Sequence, residues 1–179
     1  MDKFLLRKIA KNNLIQIAKN KESKVLAEEI IFNKLIKTAD FVNAKTIAIY
    51  LSLPNEFNTK NLINYMISQK KRVCVPKINE NEIVFYEIDE LTQFRQNKFK
   101  IFEPINSFVI NKNEIDLIVT PGLMFHKSGY RLGYGGGFYD KYLKDYLGNT
   151  IALTFKKNLT KTLWQVDTFD IKIKKIIND

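Results

Sequence analysis

Ile115-Asp116-Leu117-Ile118-Val119-Thr120, halted by Pro121-Gly122, reads as a β-strand. Behind it lies a glycine-rich segment, then a helical pattern over Phe138 to Tyr146 and a further strand at Thr150 to Phe155. The same alternation runs upstream. Thr46-Ile47-Ala48-Ile49-Tyr50-Leu51 is a buried-strand run closed by Pro54, Thr59 opens a helix with Leu62, Ile63, Met66 and Ile67 inward, and Arg72 to Pro76 is the next strand. Glu82 to Ile88 reads as another strand and Ile171 to Ile177 as a last one, while residues 89–113 read as an irregular connection with little core. Two helices precede all of this. The first spans residues 3–19 with Leu6, Ile9, Ala10, Leu14, Ile17 and Ala18 at helical spacing, and the second follows an N-cap expected at Ser23. Strands alternating with helices predict a three-layer α/β fold, Rossmann-like, with a mainly parallel sheet flanked by helices. No linker or repeat divides residues 1–179, so a single domain is expected.

The chain carries 29 basic and 19 acidic residues, a formal net charge of +10. Only four of the basic residues are arginine, and the lysines are dispersed rather than gathered into an arm. More than a third of the chain is Lys, Asn or Ile, so the charge reads as compositional and no nucleic-acid partner is expected. The first residues are charged and no apolar run approaches the ~20 residues of a membrane span. With one cysteine, Cys74, in a strand-like run, a buried inert thiol and a reducing cytoplasm are expected, with no membrane association.

The candidate chemistry sits in the glycines. Six of the seven lie between Gly122 and Gly137, four of them in Gly133-Tyr134-Gly135-Gly136-Gly137. Glycine permits positive φ and close approach of backbone to a ligand. The stretch leads into a helix starting near Phe138, whose free N–H groups favour anions, and Arg131 can add a bidentate phosphate contact. Two common phosphate loops do not match. A P-loop needs Lys then Ser or Thr where Phe138-Tyr139 stand, and the dinucleotide fingerprint needs a glycine at Phe138 directly after a strand.

A family does match. Pro121-Gly122-Leu123-Met124-Phe125 and Gly129-Tyr130-Arg131-Leu132-Gly133-Tyr134-Gly135-Gly136-Gly137-Phe138-Tyr139-Asp140 closely resemble the signature of 5-formyltetrahydrofolate cyclo-ligases, also called 5,10-methenyltetrahydrofolate synthetases. Lys3-Phe4-Leu5-Leu6-Arg7 looks like their N-terminal Lys-x-x-Leu-Arg helix, and Leu51-Ser52-Leu53-Pro54-Asn55-Glu56 resembles their folate-contacting loop. Pro76 and Ile101-Phe102-Glu103-Pro104 are weaker echoes.

The resemblance implies an enzyme that converts 5-formyltetrahydrofolate to 5,10-methenyltetrahydrofolate with ATP as co-substrate and Mg²⁺ as cofactor, working as a monomer in the cytoplasm. It implies ATP contacts from Lys3, Phe4, Leu5, Leu6 and Arg7 and from Arg131, Leu132, Gly133, Tyr134, Gly135, Gly136, Gly137, Phe138 and Tyr139. Arg131 and Tyr139 would serve catalysis. Leu51, Glu56 and Tyr134 to Phe138 would meet the folate. Asp140 would hold Mg²⁺ with a second carboxylate near the C-terminus, best placed at Asp170, with Asp167 the alternative. Read without the family, Lys3 and Arg7 are surface cations, Glu56 is an exposed acid before a helix cap, and Asp140 is a first-turn helix charge. Gly136 stands where many members have Lys, Phe138 where Tyr is frequent, and Lys100 where glycine is usual. His126, the single histidine, has no ligand-spaced partners for zinc and reads as a loop residue, and Trp164 as core or a packing lid.

Two rival readings are a sugar-phosphate isomerase or acyl-CoA transferase on a related sheet, and a non-enzymatic nucleic-acid binder. The first lacks an evident base facing the ligand. The second would leave the glycine loop idle.

Overall fold

The computed structural model describes residues 2–80, 82–97, 102–105 and 107–179. Helix α1 (Lys3–Lys19) and helix α2 (Lys21–Ile36) are separated by Asn20 alone, which serves both. Its backbone N–H donates to the Ile17 carbonyl, closing α1. Its side-chain oxygen accepts from the Ser23 N–H at 3.0 Å, opening α2. The expected cap at Ser23 is therefore corrected. A short-chain amide can satisfy orphan groups of both helices at once, so the turn shrinks to one residue. A short helix α3 (Ala39–Asn43), capped by Thr38, has too few residues for a visible periodicity.

Strands β1 (Thr46–Ile49), β2 (Arg72–Asn79), β3 (Glu82–Ile88), β6 (Leu117–Thr120), β9 (Asn149–Leu153) and β11 (Lys175–Ile177) form one sheet in the order β11-β9-β6-β1-β2-β3. Every pairing is parallel except β2 with β3. Between β3 and β6, strands β4 (Gln93–Gln96) and β5 (Phe102–Ile105) pair with each other apart from the main sheet. They occupy a region read from sequence as irregular; their side chains are mostly exposed, so no apolar alternation announces them. Lys98, Phe99, Lys100 and Ile101 lie outside the described residues.

Alternate residues of the parallel strands face opposite layers, as the pleat requires. Ile47, Ile49, Val73, Val75, Leu117, Val119, Ile151 and Leu153 share one core with α1, α2 and α4 (Thr59–Ser68), which Asn58 caps. Ala48, Cys74, Ile118 and Ala152 share the other with Phe85, Phe125, Ile173 and Leu143. Leu143 belongs to α5 (Phe138–Leu143), which ends three residues before the expected Tyr146. Between β1 and β6 the chain reverses its direction of travel, because β1 leads outward to β2 while β6 leads the opposite way to β9. The loops leaving their carboxyl ends diverge there and leave a crevice, the usual ligand position in such sheets.

Cys74 is fully buried in the second core, and that burial pushes its thiol up to about 12. A thiol reagent at neutral pH is expected to leave the native protein unlabelled and to titrate one thiol after denaturation. Rapid labelling of the folded chain would place Cys74 at the surface instead.

Candidate active site

The glycine segment emerges from β7 (Met124–His126) and β8 (Arg131–Leu132), an antiparallel pair extended by β10 (Leu159–Thr160). Gly135 has φ +113° and Gly137 φ +66°, conformations costly for any residue with a Cβ. A Cβ at Gly136 would lie 2.5 Å from the Phe138 ring, so a larger residue there needs that ring to move. The ring of Phe138 thus occupies the space from which a lysine side chain would have to depart. Helix α1 docks on this loop through Arg7, whose Nε–H donates to the Gly133 carbonyl at 2.9 Å. The α5 helix behind the loop is only six residues long, so its aligned dipoles are few.

Arg131 is almost fully buried, and its guanidinium pairs with Asp140 at 2.8 Å and lies 5.4 Å from the centre of the Tyr139 ring. Burial pulls the Arg131 pKa down against the raising influence of Asp140, yet a guanidinium remains charged. Two buried polar atoms beside this pair have no partner: Nε of Arg131 and the hydroxyl of Tyr139. Buried donors are seldom left so, and both belong to residues that flank the glycine segment in sequence.

The expected metal carboxylates also converge. Asp140 Oδ1 accepts from the Ile171 N–H at 3.1 Å, which places it against the residue following Asp170. Asp170 Oδ2 and Asp167 Oδ2 both receive the Lys3 ammonium, at 2.9 and 2.5 Å. Burial works against that ammonium, and the two carboxylates outweigh it, holding the Lys3 pKa above its ordinary value. Lys3 is therefore no free surface cation. Among the described residues no three His, Cys, Asp or Glu side chains form a ready metal cage. The hard carboxylate oxygens of Asp140 and Asp170 still suit Mg²⁺, which takes one or two protein carboxylates and fills the rest of its shell with phosphate oxygens and water.

Glu56 departs from its bland reading as an exposed acid. It is 6% exposed, accepting from the Leu53 N–H at 2.8 Å and from the Tyr134 hydroxyl. Desolvation raises its pKa, opposed by those two hydrogen bonds. Tyr134 thereby ties the glycine loop to the loop after β1, while Lys11 lies 5.6 Å from the centre of its ring. Leu51 is half-buried against the first core, Leu6 is buried in it, and Phe4 and Leu5 project outward. His126 closes β7, with Nδ1 2.7 Å from Ser128 Oγ and Nε2 3.0 Å from the Lys161 carbonyl, so both ring nitrogens are engaged structurally. Trp164 is core.

Fold and site together define the class: a mostly parallel α/β enzyme whose candidate site lies at the carboxyl edge of its sheet, with glycine-rich backbone and one buried arginine. The chain belongs to the 5-formyltetrahydrofolate cyclo-ligase family, whose model matches residues 2–178. It is 33% identical over 159 residues to the 5-formyltetrahydrofolate cyclo-ligase of Haemophilus influenzae, covering 82% of this chain and 85% of that one. Solved structures of 5,10-methenyltetrahydrofolate synthetases are similar throughout. The Aquifex aeolicus protein matches with TM-score 0.85 and 27% identity over 99% of this chain and 89% of that one. The Mycoplasma pneumoniae protein matches with TM-score 0.79 and 26% identity over 100% and 99%. The chain is accordingly a ligase of folate one-carbon metabolism, with the cyclo-ligase activity of its family. Among the described residues no helix is long and apolar enough to cross a membrane.

Proposed function

We propose that the chain, acting as one domain and as a monomer, closes 5-formyltetrahydrofolate to 5,10-methenyltetrahydrofolate with ATP and Mg²⁺. The observation that carries this reading is the buried Arg131, ion-paired to Asp140 yet with Nε unpartnered.

A formamide oxygen is a poor leaving group, so ring closure needs that oxygen activated. Transfer of the γ-phosphoryl group to it, with ADP leaving, gives an imidate-like phosphate. N10 then attacks the formyl carbon, loses its proton, and phosphate departs with the former formyl oxygen. The protein's contribution to such a transfer is positioning and charge stabilisation. Arg7 and Arg131 hold phosphate oxygens, and the backbone of Gly133 to Gly137 admits the triphosphate closely. The Tyr139 hydroxyl donates to a phosphoryl oxygen near the reacting centre. Glu56 accepts from the pterin amino and ring N–H groups, Leu51 packs against the ring, and Tyr134 and Phe138 line the folate side. Asp140 and Asp170 would hold Mg²⁺, which would supply neutralisation of the charge developing on the transferred group.

The deciding assay mixes protein, 5-formyltetrahydrofolate, ATP and Mg²⁺ and follows the near-ultraviolet absorbance of the methenyl product. A rise dependent on both ATP and Mg²⁺ is expected; a rise without either refutes this route. Asp140→Asn should shift the Mg²⁺ dependence of turnover to higher concentration, by about tenfold or more for a lost charged oxygen ligand. An unchanged magnesium curve would remove Asp140 from the metal site.

A further inference from the structure

We propose that Lys3 is an internal counterion: its ammonium holds the place between Asp167 and Asp170 that a divalent cation takes when nucleotide binds, and the exchange frees Lys3 for the phosphates. The proposal rests on the magnesium reading above. It makes Asp167 and Asp170 act as a pair rather than as alternatives.

Three carboxylates, Asp140, Asp167 and Asp170, face two cations, Lys3 and Arg131, across one small region. Asp140 is committed to Arg131 and to the Ile171 N–H. Asp167 and Asp170 are fixed relative to each other by a turn of their own, in which the Asp170 N–H donates to the Asp167 carbonyl at 3.0 Å and the Asp167 N–H to Asp170 Oδ2 at 2.9 Å. That turn presents both carboxylates to one ammonium, 164 and 167 residues away in sequence. With Lys3 in place the cluster keeps an excess negative charge. A divalent ion in its stead makes the three carboxylates and Arg131 neutral together, so exchange is electrostatically favourable once phosphates receive the displaced ammonium. Arg131, ion-paired within this cluster through Asp140, keeps its buried Nε unpartnered, a donor that a phosphate oxygen would satisfy. Lysine suits the role because its ammonium is a compact point charge on a flexible stem, able to leave one set of oxygens for another.

The test titrates the full-length protein with Mn²⁺, reading free Mn²⁺ by electron paramagnetic resonance, with and without ATP. In Lys3→Met, Mn²⁺ alone should bind tighter, on the order of tenfold for removal of one like charge from a partly solvated site. ATP in the presence of Mn²⁺ should bind weaker in the same variant. Those opposite shifts support the exchange. Both affinities unchanged, or both weakened, would overturn it, because a merely structural Lys3 would loosen the whole site. Asp167→Asn and Asp170→Asn in the Lys3→Met background should each lower Mn²⁺ affinity, and indifference of either defeats the pair. If Asp140→Asn and Asp170→Asn leave Mn²⁺-ATP binding of the otherwise unchanged chain untouched, it is the magnesium reading that fails, whatever Lys3 does.

Discussion

Arg131→Ala is expected to lower turnover by about a thousandfold or more, the size of effect seen when a fixed cation or donor is removed from a transferring phosphoryl group. It is also expected to destabilise the fold. Sequence alone suggests a loop cation whose loss leaves the fold intact, but the guanidinium is buried and paired with Asp140. Removing it strands a carboxylate that is itself only 17% exposed. Breaking a buried pair from one side costs roughly 3–5 kcal/mol. The two losses separate in the double variant Arg131→Ala/Asp140→Asn, which should recover much of the stability and none of the turnover. Chemical denaturation and the absorbance assay on the same preparations decide it. Near-normal turnover in the single variant would take Arg131 out of the phosphate site.

Glu56→Gln should move activity and stability in opposite directions. The amide keeps the shape and one acceptor but loses the charge that binds the pterin N–H groups. A buried charged acceptor that matches its ligand is worth about a hundredfold or more in kcat/KM for the folate. The KM for ATP should change little. Stability at neutral pH should rise, and the sign follows from the raised pKa of Glu56. Between the unfolded and folded pKa values the native carboxyl keeps a proton that the unfolded chain releases, so its contribution to stability is present at low pH and lost as pH rises through that window. Glutamine removes the loss. For the same reason kcat/KM for the folate should fall as pH drops through a value above the ordinary glutamate range, and that acidic limb should vanish in Glu56→Gln. A variant with unchanged kcat/KM, or an acidic limb that persists in it, would remove Glu56 from the folate site.

Much of the fold was legible because its signals are local. Ile47-Ala48-Ile49 and Leu117-Ile118-Val119 are apolar throughout, as strands covered on both faces must be, and the glycines of 133–137 declare a backbone conformation that other residues resist. Boundaries failed where a single residue served two elements, as Asn20 does, or where exposed strands such as β4 and β5 lack an apolar alternation. The positions of Arg131, Asp140, Asp170 and Glu56 were likewise nameable by resemblance. What only the tertiary structure decided is their state of charge and company: that Glu56 is buried and held by Tyr134, that Arg131 is locked to Asp140, and that Lys3 bridges Asp167 and Asp170. Those pairings join the chain's two ends and its middle at the carboxyl edge of one sheet. Burial and Coulomb energy depend on distance in space, which the order of residues along the chain does not record.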